Sequence, residues 1–329
     1  MSITVGKELL YLTKSDVEGL NLDAQVLELT KNALREHGHK KFEMPAKIGL
    51  HPQTNTLMHA MPAWVPKYEA CGIKWAECFP ENYKFNLPQT SGLMILNCHE
   101  TGWPIAIMDA IWITAKRTAA VTAIACEFLA NKNSEVVGMI GSGVQGKEHT
   151  DLFPKIFPKL KQVKIFDKFP DTAKALIKIR REQYPNIDWV VSEKVEDVVR
   201  ESNVIVSATA ILSKANPIIK DEWIAPGAFI APVDFDSLWE WKTFNRSNKF
   251  LVDSLPEMEY FMTVGYLVNG LPKLHAELGE VVAGLKVGRE SNDELIIDMN
   301  IGMGVEDVVI GKTVYKEALQ KNVGQTLRL

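Results

Sequence analysis

The chain has 329 residues, 46% of them hydrophobic and 24% charged, with a net charge of −4. That is the make-up of an ordinary folded globular protein, and the mildly acidic balance without a basic block argues against nucleic acid as a partner. The length favours two domains. No run approaches the roughly 20 apolar residues that span a bilayer, and the start does not read as an export leader, so a cytoplasmic protein without a membrane partner is expected. Cys71, Cys78, Cys98 and Cys126 contain no C-x-x-C pair; they read as reduced thiols, with no metal site and no disulfide framework.

In chain order, Ser15 to Glu36 follows the cap-like cluster Thr13-Lys-Ser-Asp16 and carries Val17, Leu20, Leu22, Val26, Leu27 and Leu29, which predicts one or two helices. His37 and His39 fall near the end of this region and are expected on a solvated face. From Phe42 to about Met108 the texture changes to short apolar segments broken by Pro, Gly and Asn, which predicts strands of a separate sheet. Asn97 to Gly102 reads as the hairpin connection between the last two. Ile113 to Ala130 is Ala-rich and helix-favouring, and Lys116 within it is expected to face solvent.

The next segment carries the most chemical information. Glu135 to Ile140 reads as a buried strand, and it runs into Gly141-Ser-Gly-Val-Gln-Gly146, with a helix expected from Lys147 to Leu160. A strand, a G-x-G-x-x-G turn and a helix start form a site for a dinucleotide pyrophosphate. The helix N-terminus offers unpaired N–H groups to the anion. The alternative is an ordinary glycine-rich turn, and the flanking pattern favours the cofactor site. Val163 to Phe166 predicts the next strand, ending in Asp167 about twenty residues beyond the last glycine, where a carboxylate accepts from an adenosine ribose and repels a 2′-phosphate. Asp167 also suits a turn. NAD is therefore expected over NADP, although Lys168 beside the carboxylate keeps NADP open. Ser202 to Ser207 and Ala228 to Pro232 predict further strands, with a helix around Val195 to Glu201. Such alternation argues for a doubly wound parallel sheet. Gly304 to Leu319 reads as a helix returning to the first domain.

Several segments together resemble the ornithine cyclodeaminase/μ-crystallin family. They are Met61-Pro-Ala63, Gly72-Ile-Lys74 followed by Pro80-Glu-Asn82, Ala115 to Ala120, the glycine turn, His275 to Glu280, and Gly302 to Asp307. The resemblance covers nearly the whole chain. It implies an α/β protein with a Rossmann-type NAD-binding domain, placed at residues 121–303. A discontinuous α+β domain for substrate binding and dimerisation is placed at 1–120 and 304–329. A homodimer is implied, formed by joining the sheets of that second domain.

The resemblance also implies site roles. Lys74 and Arg117 would hold a substrate carboxylate, Lys74 assisting proton transfer. Lys47 stands where many relatives carry an arginine with the same task. Met61 belongs to the same shell. Asp236 matches the carboxylate that takes a proton from the substrate amine, while Asp234 stands where relatives usually have Gly, leaving open which of the two points inward. Thr118, Val144, Gln145, Ser207, Ala208, Thr209, Asn300 and Gly302 would contact the cofactor beside the three glycines and Asp167. For Glu277 and Glu280, a solvated helix role is weighed equally with a catalytic one. Trp64, Trp75, Trp103 and Trp112 read as core and dimer-sheet packing. His59 stands where ornithine cyclodeaminases carry a glutamate that recognises ornithine, so it either touches a different substrate or is a plain strand histidine.

The function implied is NAD-dependent chemistry at the α C–N bond of a small amino or imino acid. Ornithine cyclodeaminase is the family's default. An amino-acid or opine-type dehydrogenase, or a cyclic imine reductase, stands close behind because of His59. A μ-crystallin-like protein that binds cofactor and ligand is the alternative from another class.

Overall fold

A computed structural model describes residues 3–329. The chain divides into two compact units, one running to Arg117 and resuming over Gly302–Leu329, the other Thr118–Ile301. The first begins with β1 (Glu8–Leu12), α1 (Lys14–Gly19) and α2 (Asp23–Gly38). Asp16 N donates to the Thr13 hydroxyl while Thr13 N donates to the Asp16 carboxylate, a reciprocal cap that satisfies two otherwise orphaned donors. On α2 the buried stripe runs Val26, Thr30, Ala33, Leu34 and His37, the three-to-four spacing of a core-facing helix side. His37 is therefore buried and stacked on Phe42, not solvated as expected. Only His39, just past the helix end, is exposed.

Strands β2 (Ile48–Leu50), β3 (Leu57–Val65), β4 (Ala70–Cys78), β5 (Thr90–Asn97) and β6 (Pro104–Asp109) follow, and then α3 (Ile111–Leu129), within which the boundary between the units falls. Lys116 is not free in solvent: its ammonium lies 2.6 Å from Asp23.

The second unit runs β7 (Val136–Ile140), α4 (Val144–Ile156), β8 (Gln162–Phe166), α5 (Pro170–Gln183), β9 (Asp188–Val191), α6 (Val195–Val199), β10 (Val204–Ser207), β11 (Phe229–Pro232), α7 (Trp241–Asn245), β12 (Lys249–Val252), α8 (Leu255–Thr263), β13 (Leu274–Glu277), α9 (Leu278–Val282) and β14 (Ile296–Met299). The chain then returns to the first unit with α10 (Gly304–Lys321) and β15 (Gln325–Arg328).

The sheet of the first unit has the order β15-β1-β6-β5-β4-β3-β2. It is antiparallel except for the β1–β6 pair. Because side chains alternate across a strand, Met61, Lys74, Met94 and Met108 fall in one cross-strand row on the face that α10 covers. The other face presents Met58, Trp64, Ile73, Trp75 and Ile95, all half-buried, and the exposed Leu93, with the His99 ring stacked on Trp64. The sheet of the second unit is wholly parallel, with order β13-β12-β14-β11-β10-β7-β8-β9. From β7 the chain moves outward through β8 and β9, then crosses back to β10 on the other flank, so β7 borders the point where the order reverses. Open α/β sheets bind ligands there, outside the carboxyl ends of the strands.

No described helix is long and apolar enough to cross a membrane, and no described cluster of His, Cys, Asp and Glu could hold a metal ion.

Candidate active site

Lys74 lies in a row of methionines, where an ammonium has no place unless something meets it. The first turn of α10 supplies that partner: Asp307 Oδ2 is 2.7 Å from Lys74 Nζ, both side chains fully buried. Arg117 Nε donates to the other oxygen of Asp307 at 3.1 Å, and Arg117 Nη1 lies 3.7 Å from Glu306. Lys47, also buried, donates from Nζ to the Gly302 carbonyl at 2.9 Å. Gly302 itself is at φ +81, and a Cβ there would fall 1.7 Å from Arg117 Nη1, so only glycine lets the guanidinium lie against the backbone. Lys74 and Arg117 thus meet two buried carboxylates, Glu306 and Asp307, and the buried Lys47 lies beside them on the Gly302 carbonyl. Burial, reinforced by the Arg117 guanidinium, lowers the Lys74 ammonium to about 8 against the pull of Asp307.

His59 faces the same side of β3 as Met61, two residues away, and both are buried. Burial, aided by Lys47, His51 and Lys74, lowers its imidazole to about 3, so it is neutral at physiological pH. The His51 ring meets it edge-on at 5.8 Å.

In the second unit, the glycine turn leaves the carboxyl end of β7 and passes directly into α4. The helix begins at Val144, inside the motif, and not at Lys147 as expected, because Gly143 takes the extended N-cap conformation. A Cβ on Gly143 would meet nothing within 4 Å, whereas one on Gly146 would lie 2.3 Å from the Gly141 carbonyl. The middle glycine keeps the outer side of the turn open to an anion, and the last lets helix and strand touch. Val144 is exposed and Gln145 half-buried beside it. His149 braces this helix, its Nδ1 bonding the Gln145 carbonyl and its Nε2 the Thr122 hydroxyl. The carbonyl can only accept, so Nδ1 carries the proton.

Asp167, at the end of β8, serves the turn from both sides. Its Oδ2 accepts from Ser142 N and Ser142 Oγ at 2.7 and 2.6 Å, and its Oδ1 accepts from Phe169 N at 2.8 Å. A carboxylate has about four acceptor positions, so one is left after these three bonds.

Asp234 and Asp236 follow β11 with Phe235 between them at φ +60, a conformation that a bulky residue holds only when packing fixes it. Phe235 is 1% exposed and packs edge-on against Phe261. The left-handed residue sends the two carboxylates apart. Asp234 turns inward and accepts from Ser207 Oγ, Thr209 N and Thr209 Oγ1, with Trp239 Nε1 donating to Ser207 in turn. The side chains of Ser207 and Thr209 are therefore committed to Asp234; Ala208 lies between them. Asp236 makes no such set of bonds, and burial pushes its carboxyl above the ordinary range, opposed only by its own backbone N–H. At the end of β14, Asn300 donates from Nδ2 to Asp298. Burial raises Asp298 to about 8.

The structure gathers Lys47, His59, Met61, Lys74, Arg117 and Gly302 in the first unit. It arrays Gly141 to Gly146, Asp167, Ser207 to Thr209, Asp236 and Asn300 along the carboxyl edge of the second, with Thr118 half-buried on α3. Glu277 and Glu280 form a cap instead of a solvated face: Glu277 N donates to Glu280, and Glu277 accepts from Leu255 N. Trp112 is buried, Trp64 and Trp75 half-buried, and Trp103 exposed. Sequence reasoning passed over Glu306, Asp307, His51, Ser142 and Asp298. Acids in the first turn of α10 read as ordinary complements to a helix N-terminus, and nothing in their spacing announces partners far along the chain.

A parallel sheet with a glycine turn at its reversal point and an acid ending the next strand defines a dinucleotide-binding α/β domain. The chain belongs to the ornithine cyclodeaminase/mu-crystallin family, whose model matches residues 7–322. It is 31% identical to the N-((2S)-2-amino-2-carboxyethyl)-L-glutamate dehydrogenase of Staphylococcus aureus, over 99% of this chain and 100% of that one. A solved archaeal alanine dehydrogenase dimer with bound NAD matches with a TM-score of 0.86 and 33% identity, over 97% of this chain and 99% of its own. The Thermococcus litoralis Δ1-pyrroline-2-carboxylate reductase, solved with NADH and L-proline, matches with a TM-score of 0.84 and 28% identity, over 96% and 99%.

Proposed function

We propose that this protein is an NAD-dependent oxidoreductase of small α-amino or α-imino acids, a dehydrogenase or imine reductase in preference to an ornithine cyclodeaminase. The observation that carries the reading is the buried cluster of Lys74 and Arg117 with Glu306 and Asp307, and Lys47 beside them on the Gly302 carbonyl. Buried cations held in this way suit a substrate carboxylate. Arg117 offers the planar fork that grips a carboxylate in two places, and Lys74 adds a desolvated ammonium. The open outer side of Gly143, the start of α4 and the remaining acceptor position of Asp167 suit the pyrophosphate and adenosine ribose of NAD.

NAD+, when bound, supplies the acceptor for a hydride from the substrate α-carbon. The work of the protein is to hold the carboxylate and to manage protons. Asp236, with its raised affinity for a proton, accepts one from the substrate ammonium so that the amine can become an imine. Lys74, near 8, is suited to exchange a proton during hydrolysis of that imine to the oxo acid and ammonia. In the reductive direction the same groups return their protons to the amine.

The preference against a cyclodeaminase rests on His59. A distal ammonium near it would meet Lys47, Lys74 and a neutral imidazole, with Asp307 already bonded to two cations. The apolar sheet face carrying Trp64, Trp75 and Leu93 supports a homodimer that covers it, in keeping with the dimeric alanine dehydrogenase.

The test is to incubate the purified protein with NAD+ and a panel of amino acids while reading NADH absorbance and ammonia together. NADH and ammonia in equal amounts support a dehydrogenase. Ammonia from ornithine without net NADH supports the cyclodeaminase instead. Silence from both, persisting with NADH and cyclic imines or amine and keto-acid pairs, returns the protein to the ligand-binding class.

A further inference from the structure

We propose that Asp298 is a positioning residue that orients Asn300, so that the Asn300 carbonyl oxygen accepts the amide N–H of the nicotinamide carboxamide. The inference rests on the NAD reading above and adds a residue, an orientation and a ligand atom to it.

Asp298 lies in β14 and Asn300 just beyond its last residue, and their side chains meet. Asp298 is 1% exposed, and Asn300 Nδ2 donates to its Oδ2 at 2.5 Å. A primary amide has donors on one side and an acceptor on the other. With its NH2 held by the acid, Asn300 presents its carbonyl. That Oδ1 atom is buried and has no hydrogen-bond partner. A buried acceptor left unpaired is costly, and an arriving N–H removes the cost. The strand end is itself immobilised: Asp253, following the neighbouring β12, accepts from Ile301 N at 2.9 Å and from Ser254 N at 2.9 Å. The amide is thus fixed both in place and in direction.

The sheet order says which end of the dinucleotide brings the N–H. The pyrophosphate belongs at the turn after β7, and Asp167 on β8 takes the adenosine arm to one side. The other arm must run across β10 and β11 towards β14, three strand spacings or about 14 Å from β7. The exocyclic amine of adenine lies on the β8 side, so the amide N–H available at β14 is that of the carboxamide.

The test compares the binding of NADH with that of its reduced 3-acetylpyridine analogue, in which a methyl replaces the NH2, and uses ADP-ribose as a probe of the shared arm. Wild-type protein should prefer NADH by about tenfold, the worth of one hydrogen bond to a buried acceptor. Asn300→Ala should bring the ratio near one. Asp298→Leu keeps the branching at Cγ without an acceptor and should do likewise, while ADP-ribose affinity stays within about twofold. Asp298→Asn restores an acceptor and should restore the preference, a rescue that a merely structural role would not give. Should Asp298→Leu fail to fold, Asp298→Ala takes its place. A ratio unchanged in Asn300→Ala, or unchanged in the Asp298 variants while Asn300→Ala removes it, overturns the proposal. If wild-type protein binds ADP-ribose but does not discriminate between the dinucleotides, the proposal fails and the cofactor reading stands. If it binds none of the three, both fail.

Discussion

Replacing Lys74 by Met removes one cation from the buried cluster and leaves a side chain of similar length in a row already made of methionines. Breaking a buried ion pair by deleting one partner costs about 3–5 kcal/mol. Here Arg117 Nε remains on Asp307 at 3.1 Å, so the abandoned carboxylate keeps a counter-ion and the loss in stability belongs near 3 kcal/mol. Function should suffer separately. Truncating a desolvated charged partner weakens binding by about 2–5 kcal/mol, roughly 30-fold to several thousand-fold. The assay is kcat/KM for the best substrate from the NADH screen, with NADH affinity and unfolding followed in parallel. The expected result is a fall of at least 30-fold in kcat/KM with NADH affinity intact. A variant within threefold of wild type in kcat/KM, folded and stable, would refute the assignment of Lys74 to the substrate carboxylate and leave it as a structural ion pair.

Three further outcomes follow from the same geometry. Asp236→Asn should lower turnover by more than about 100-fold while NADH binds normally; loss of both together would mark Asp236 as structural. His59→Glu places a carboxylate beside Lys47 and Lys74 and should raise kcat/KM for ornithine relative to alanine, and an unchanged ratio would remove His59 from the substrate shell. Carboxylate binding should weaken as pH rises through about 8, where Lys74 loses its proton. Deprotonation of Lys74 does not itself promote unfolding. The native lysine titrates near 8 and the unfolded one near its ordinary 10.5, so the unfolded state holds more protons between those values and this group's contribution to stability rises with pH there. Measuring KM and thermal unfolding across pH 7–10 separates the two effects.

The parallel sheet was legible because its signals are local: short apolar runs, a glycine turn against one of them, and an acid ending the next. Boundaries were less so. The start of α4 lies inside the motif, since Gly143 caps the helix and nothing in the composition of Lys147 onward shows that. A histidine at a helix end is usually wet, and only the spacing back to Val26 shows that His37 faces the core. In the candidate site the cations could be picked out as residues but not their partners. Asp307 reaches Arg117 from 190 positions away, a pairing that only the return of α10 to the first sheet creates. The resemblance favours Asp236 over Asp234, but which way each carboxylate points is not legible in the sequence, because their divergence depends on the left-handed Phe235 between them, which packs on Phe261.

Isotopic transfer follows the hydride proposed to move between the substrate α-carbon and NAD. The protein would be incubated with NAD+ and amino acids deuterated at the α-carbon, and the recovered cofactor and product examined by mass spectrometry and NMR. Deuterium should appear at C4 of the reduced cofactor, or be carried back to the product's α-carbon if the cofactor is recycled within one turnover. Turnover in which the α-deuterium is lost to water, with none in cofactor or product, would contradict that transfer.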